Sequence, residues 1–278
     1  MVTRRDYTAE AVEAARSVMI ELTHLLNEYR DDIVLIGGWV PELLLPQKPY
    51  AHVGSTDIDL ALNHLEIQDG YKRIKELLIG RKYYQEDEKP PFVFFRDVPV
   101  NGKTVKVQVD LLSGEYEGTG KRRRHQNVQE IKTRKVRGCD IAFDMVKEVA
   151  IGGEIPGGGY DQVTIRVASI VPFFVMKGMA LDDRLKEKDA WDIYYCTIAY
   201  PGGIDSLVEE FRPHLSHALV QEGLKKIAKH FVDIKSIGPK FVADFEGTDD
   251  PDEMERITRD AFERVNAFLG QLEINKLL

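Results

Sequence analysis

The segment Ile33-Val34-Leu35-Ile36-Gly37-Gly38, followed after an interval by Gly54-Ser55-Thr56-Asp57-Ile58-Asp59-Leu60-Ala61-Leu62, decides the fold. Four apolar residues in a row read as a buried strand, and the glycine pair that ends the run reads as a tight turn. Pro41 suits the first turn of a short helix reaching Leu45. In the second segment Asp57 and Asp59 alternate with Ile58 and Leu60, so a strand sends both carboxylates to one face and the aliphatic groups to the other. Alone, a Gly-Gly turn is only a turn and an Asp-x-Asp strand only a solvated face. Their succession is what carries information.

Outward from these strands the pattern alternates. Before them, Val12, Ala15, Val18, Leu22, Leu25 and Tyr29 recur at helical spacing over residues 8–29, with Glu10, Glu13, Arg16 and Glu21 assigned to the opposite side. After them, Ile67, Tyr71, Ile74 and Leu78 again follow a helical period. Strands are expected at 92–96 and 104–111, joined by an Asn101-Gly102 hairpin turn, and less regular ones at 140–143, 146–151 and 162–167 around Gly157-Gly158-Gly159. From Ser169 the periodicity is helical: 175–185, 190–199, 207–211, 215–231, and a last helix carrying Met254, Ile257, Ala261, Val265, Phe268 and Leu272. The expected fold class is α/β in the broad α+β sense: a mixed-sheet domain with an N-terminal helix over 1–168, then a helical domain over 169–278.

In the strand expected at 104–111, Val105, Val107 and Val109 oppose Lys106, Gln108 and Asp110. If it lies beside the Asp57-Ile58-Asp59 strand, Asp110 joins the other two acids on one polar edge. Three crowded anions repel one another unless a cation neutralises them. Carboxylate oxygens suit a hard divalent ion such as magnesium, or manganese, which usually completes its shell with substrate phosphates. The Gly37-Gly38 turn offers backbone N–H groups at a helix start, a natural seat for a triphosphate. Metal-dependent handling of a nucleoside triphosphate is therefore the chemistry expected of this order of elements.

Composition narrows the classes. With 46 acidic residues against 38 Lys plus Arg, the formal charge of −8 argues against a general nucleic-acid coat protein. Two cysteines, Cys139 and Cys196, sit too far apart in sequence for a metal-type pair or a disulfide framework. No run approaches the ~20 apolar residues of a membrane span, and no apolar secretory core precedes the first helix, so a cytoplasmic protein with no membrane partner is expected.

The chain resembles the nucleotidyltransferase superfamily related to DNA polymerase beta, through Ile36-Gly37-Gly38, the Asp57-Ile58-Asp59 pair, and Asp110 in Val107-Gln108-Val109-Asp110-Leu111. In Lys177-Gly178-Met179-Ala180-Leu181, Arg184 and Lys188-Asp189-Ala190-Trp191-Asp192-Ile193 it is also similar to the AbiEii/AbiGii abortive-infection toxins. The matching motifs span residues 33–193. The resemblance implies a magnesium-dependent enzyme that moves a nucleoside monophosphate from a nucleoside triphosphate to an acceptor hydroxyl, transfer RNA for related toxins, and it implies an antitoxin protein as partner. Carried over by position, Asp57 and Asp59 bind metal, and Asp110 completes the metal site and helps activate the acceptor hydroxyl. Gly37 and Gly38 hold phosphate, Lys177 stands near the triphosphate, and Asp192 fills the later acidic position. Two departures stand out: Trp39 follows the glycines where the superfamily often soon has Ser, and the interval to Asp57 is long. Ser55 is the expected substitute for the missing hydroxyl. These departures motivate an alternative, a noncatalytic nucleotide-sensing or partner-binding module; an enzyme acting on a small-molecule acceptor is another.

Other features read two ways. Lys177, Leu181, Arg184, Lys188 and Asp192 share one face of a continuous helix, or of two stacked ones, with Arg184 and Asp192 expected to pair; the same spacing makes a salt-bridged stripe. The basic run Lys121-Arg122-Arg123-Arg124-His125 suits an RNA acceptor, and equally a solvated loop or an acidic partner. His52 approaches the site or is structural, with structure the better reading. Phe173, Phe174, Tyr194 and Tyr195 read as core anchors.

Overall fold

The computed structural model describes residues 2–45, 50–63, 70–114, 125–128 and 131–274, with only the backbone described at 70–72, 125–128 and 131–133. The chain divides into two compact units. A sheet unit comprises Thr8–Val40 and Gly54–Ser169; a helical unit gathers Met1–Tyr7, Pro41–Val53 and Ile170–Leu278. The later division falls at Ser169, while two N-terminal segments expected with the sheet cluster with the helices instead.

In the sheet unit, α1 (Ala9–Leu25) starts at Thr8, whose hydroxyl accepts from Ala11 N at 3.3 Å. Ala15, Val18 and Leu22 are buried along one side as the spacing requires. Glu21, assigned to solvent by that spacing, is buried too. It accepts from the Tyr83 hydroxyl at 2.7 Å and from Arg96 Nε at 3.2 Å, so its charge is matched where the helix period alone left it outside.

Strand β1 (Ile33–Ile36) leads through Gly37-Gly38 into the six-residue α2 (Trp39–Leu44). β2 (Asp57–Leu62) and α3 (Gly70–Gly80) follow, then β3 (Val93–Val100) and β4 (Lys103–Ser113). The turn between the last two has Asn101 and Gly102 at φ 49° and 76°, the doubly positive geometry that Asn-Gly favours. β5 (His125–Val128) and β6 (Ile131–Lys135) add a hairpin. Their polar sequences, His-Gln-Asn-Val and Ile-Lys-Thr-Arg-Lys, carry no alternation from which the sequence could place them. The strand expected at 140–143 is instead a helical turn, α4 (Ile141–Asp144), since the three apolar residues Ile141, Ala142 and Phe143 are too few to carry a usable period. β7 (Val146–Glu154) and β8 (Tyr160–Ala168) form the last hairpin.

These strands make one mixed sheet of eight, in the order β5-β6-β4-β2-β1-β8-β7, with β3 also on β4. β1 pairs antiparallel with β2, and β2 pairs parallel with β4.

The helical unit contains α5 (Ile170–Arg184), α6 (Glu187–Ala199), α7 (Gly203–Phe211), α8 (Ala218–His230), α9 (Ile237–Glu246) and α10 (Pro251–Gln271). α9 was not separately expected. The stretch 177–192 is two helices, because Leu185 adopts φ 49° and ends α5. Phe174, Phe211 and Phe268 meet edge to face with centroids 5.1 to 5.3 Å apart, at the heart of this core. α5 and α8 cross at Gly178 and Gly223, where a Cβ on Gly178 would fall 2.3 Å from the Gly223 carbonyl oxygen. Among the described residues no helix is long and apolar enough to cross a membrane.

Candidate functional site

The acid face of the sheet is built by register. β2 and β4 run parallel with Asp59 opposite Asp110 and Asp57 opposite Gln108. Partners in adjacent strands point the same way, with the strands about 4.8 Å apart. Asp57, Asp59, Gln108 and Asp110 therefore share one face, while Ile58, Val107 and Val109 are fully buried on the other. All three acids are half-buried.

Each acid has a local support. The Ser55 hydroxyl donates to Asp57 Oδ1 at 2.5 Å. Gln108 Nε2 donates to Asp110 Oδ1 at 2.9 Å. Asp59 reaches back over β1's terminal turn: a Cβ on Gly37, which sits at φ 75°, would lie 2.0 Å from Asp59 Oδ2. Glycine is thus required at position 37 by conformation and by space.

Trp39, which follows the glycine pair, is 1% exposed and donates its indole N–H to the Asp57 carbonyl at 2.9 Å. It tethers the start of β2 to the turn after β1, so the position that lacks a hydroxyl has an anchoring role. Ser55, the expected substitute for a phosphate-binding hydroxyl, directs its proton to Asp57. Gly38 is buried beside Gly37, and the Val40 N–H closes the turn onto the Gly37 carbonyl at 3.2 Å.

Three oxygen-bearing carboxylates on one face, with a side-chain-free turn beside them, match the donor preference of magnesium or manganese. As the side chains stand, no three acidic, histidine or cysteine residues among those described form a group able to hold one ion. The residue types suit the ion, while the carboxylates as placed do not converge on one.

Lys177 and Asp192 belong to the helical unit, where they meet each other. Lys177 Nζ lies 2.6 Å from Asp192 Oδ2 and donates to Asp189 Oδ1 at 2.8 Å. Lys188 Nζ donates to Asp192 Oδ1 at 2.8 Å, and His52 Nε2 stands 3.0 Å from the same oxygen. Arg184 forks onto Asp189 through Nε and Nη2 at 2.8 and 2.9 Å, so the expected Arg184–Asp192 pair gives way to Arg184–Asp189. The break at Leu185 turns the second helix and changes which acid comes within reach. Asp189, which the sequence reading gave no role, is thereby a hub for two cations.

The charges in this cluster sustain one another. Burial works against the Lys177 ammonium, yet Asp189 and Asp192 outweigh it and hold its pKa above the ordinary lysine value. Burial likewise opposes the Asp192 carboxylate, and Lys177 and Lys188 hold its pKa below the ordinary range. His52 goes the other way: burial first, then the Lys188 charge, lower it to about 4, against the pull of Asp192. A neutral imidazole with its proton on Nε2 then donates to Asp192. Trp191 and Tyr195 pack against its ring at centroid distances of 5.1 and 4.8 Å. His52 is structural.

The remaining features resolve simply. Phe173 and Phe174 are buried core residues; Tyr194 donates to Asp260 and Tyr195 to the Tyr50 carbonyl. Both cysteines are buried, with thiol pKa values pushed up chiefly by desolvation. Of the basic run, Lys121 to Arg124 lie outside the described residues, and only the backbone of His125, at the start of β5, is described.

No family model, no curated protein and no solved structure matches the chain.

Proposed function

We propose that the acid face binds divalent cations and that the protein is a magnesium-dependent nucleotidyltransferase, moving a nucleoside monophosphate from a nucleoside triphosphate to an acceptor hydroxyl. The observation that supports it most is the pairing of Asp59 with Asp110 across β2 and β4, beside the glycine turn that Asp59 overhangs. Asp57, Asp59 and Asp110 would hold the ion, which would neutralise triphosphate oxygens and align the acceptor oxygen. In this reading Asp110 takes the acceptor proton, the new bond forms at the α-phosphorus, and pyrophosphate leaves. Ser55 and Gln108 orient the two outer acids, and the backbone N–H groups of the Gly37-Gly38 turn, which Asp59 overhangs, would meet the phosphate.

The acceptor assigned by this reading is RNA, on the sequence resemblance and the Lys121-to-His125 run, and an antitoxin protein would restrain a toxin of this kind. Incubation with each α-labelled nucleoside triphosphate, total RNA and either magnesium or manganese should label RNA. Asp59→Asn should abolish the label without unfolding the protein. Folded wild type that transfers nothing to RNA, protein or small hydroxylated acceptors overturns the proposal.

A second reading, a noncatalytic nucleotide-binding module, draws on the Ser55 and Gln108 bonds that satisfy one oxygen each of Asp57 and Asp110 without an ion. Tight nucleotide binding that ignores both divalent ions and Asp59→Asn, without turnover, favours it.

A further inference from the structure

The seam between β1 and β8 has no part in the reaction above. β8 pairs with β7 along its whole length, yet it meets β1 in parallel register only at Leu35 and Val167. Carried on, that register would set Ile33 opposite Ile165, and there the ladder stops. Arg166 stands at the break: its Nη1 donates to the Arg30 carbonyl at 3.1 Å and to the Asp31 carbonyl, so a side chain takes up backbone groups just ahead of β1. Between this seam and the last turns of α1 lies a cavity of about 40 Å³. Its apolar wall includes Leu22, Leu35, Leu60 and Ile165, each 5% exposed or less. Arg30 and Glu148 also line it, and both side chains reach solvent. Leu60 alternates with Asp59, so the cavity lies on the sheet face away from the acids.

We propose that this cleft binds a free α-amino acid with a short branched aliphatic side chain, the size of valine or leucine. Size and charge together select that class. At roughly 10–15 Å³ for each water-sized group, the cavity has room for about three or four of them, which is a short branched alkyl chain and no more. At the mouth, Arg30 Nη2 and Glu148 Oε1 are 4.0 Å apart, beyond hydrogen-bond range, so a cation and an anion stand side by side without bonding each other. Asp31, the other acid near Arg30, lies 3.5 Å from its Nε and is 83% exposed, a contact that solvent leaves weak. A zwitterion answers both charges: its carboxylate meets Arg30, its ammonium meets Glu148, and its alkyl chain enters between α1 and the sheet. A fatty acid would set its carboxylate against Glu148 and overfill the cavity. The proposal is independent of the acid face and of nucleotidyl transfer.

The experiment is isothermal titration calorimetry of the full chain with L-leucine, L-alanine and 4-methylpentanoate, which keeps the carbon skeleton of leucine and lacks the ammonium. L-Leucine should bind saturably. L-Alanine should bind about fiftyfold more weakly, the transfer value of the three carbons it lacks. 4-Methylpentanoate should bind about fivefold more weakly than L-leucine, and Glu148→Gln should erase most of that difference by weakening L-leucine alone. Thr23→Phe, at a position on α1 that lines the cavity, should fill it and abolish binding. Circular dichroism checks the folding of each variant, and Arg30→Gln, on the exposed rim, locates the site should Thr23→Phe fail to fold; it should weaken L-leucine and 4-methylpentanoate alike. No saturable binding of L-leucine, or L-alanine binding as tightly, overturns the proposal. So does 4-methylpentanoate that matches L-leucine, which would make this a site for a simple carboxylate. Binding unchanged in folded Thr23→Phe and Arg30→Gln would place the ligand elsewhere and overturn it as well.

Discussion

The Asp59 carboxylate fills the space above Gly37, so that any Cβ there would lie 2.0 Å from Asp59 Oδ2, at a backbone φ of 75°. Gly37→Ala should therefore destabilise the fold by about 1–2 kcal/mol from the left-handed backbone alone, and should also push Asp59 off its position. Urea unfolding measures the first effect and manganese binding the second. An unchanged midpoint would show that the turn relaxes without cost.

The buried Lys177 ammonium is held by Asp189 and Asp192. Lys177→Met should cost about 3–5 kcal/mol, the usual effect of removing one member of a buried ion pair and leaving the other. A lysine kept for substrate phosphate would, on removal, leave unfolding stability nearly unaltered. Chemical denaturation of the variant separates the two roles.

His52 supplies a pH dependence with a definite sign. Its folded pKa of about 4 lies below the ordinary 6.5, so between these values the unfolded chain takes up a proton that the native state refuses. Its contribution is fully present above pH 6.5 and is lost as pH falls toward 4, about 3 kcal/mol over the window. The Asp192 carboxylate, held low by Lys177 and Lys188, stays ionised throughout this range and contributes no opposing slope. His52→Gln keeps a donor toward Asp192 and removes the titration. The wild-type decline in unfolding free energy between pH 7 and 4.5 should then flatten.

Leu185 takes a left-handed backbone, φ 49°, between α5 and α6, with its side chain largely exposed. Leu185→Gly should raise stability by up to about 1 kcal/mol, because glycine removes the Cβ penalty and offsets part of that gain with chain entropy. A loss of stability would mean that the leucine side chain contributes packing that outweighs its backbone strain.

Much of the sheet was legible because β2 and β4 alternate as strands do, β1 is a branched apolar run ended by a glycine pair, and Asn101-Gly102 names its own turn. The polar hairpin of β5 and β6 was not, since neither strand carries a periodic apolar face. The acids of the candidate site could be found from Asp-Ile-Asp and Val-Gln-Val-Asp. Gln108 was visible in the same alternation, but nothing in one dimension says that an amide will bond to the next acid on its face.

Residue order alone set the parity of Asp57, Asp59 and Asp110, because side chains on a strand must alternate whatever surrounds them. Which acids became neighbours, and which were buried against lysines, was decided only by folding. The parallel register put Asp110 opposite Asp59. The backbone reversal at Leu185 gave Arg184 to Asp189 and left Asp192 to Lys177, Lys188 and His52. Period is a local property of the chain, whereas register and charge partnership depend on segments distant in sequence meeting at hydrogen-bonding range.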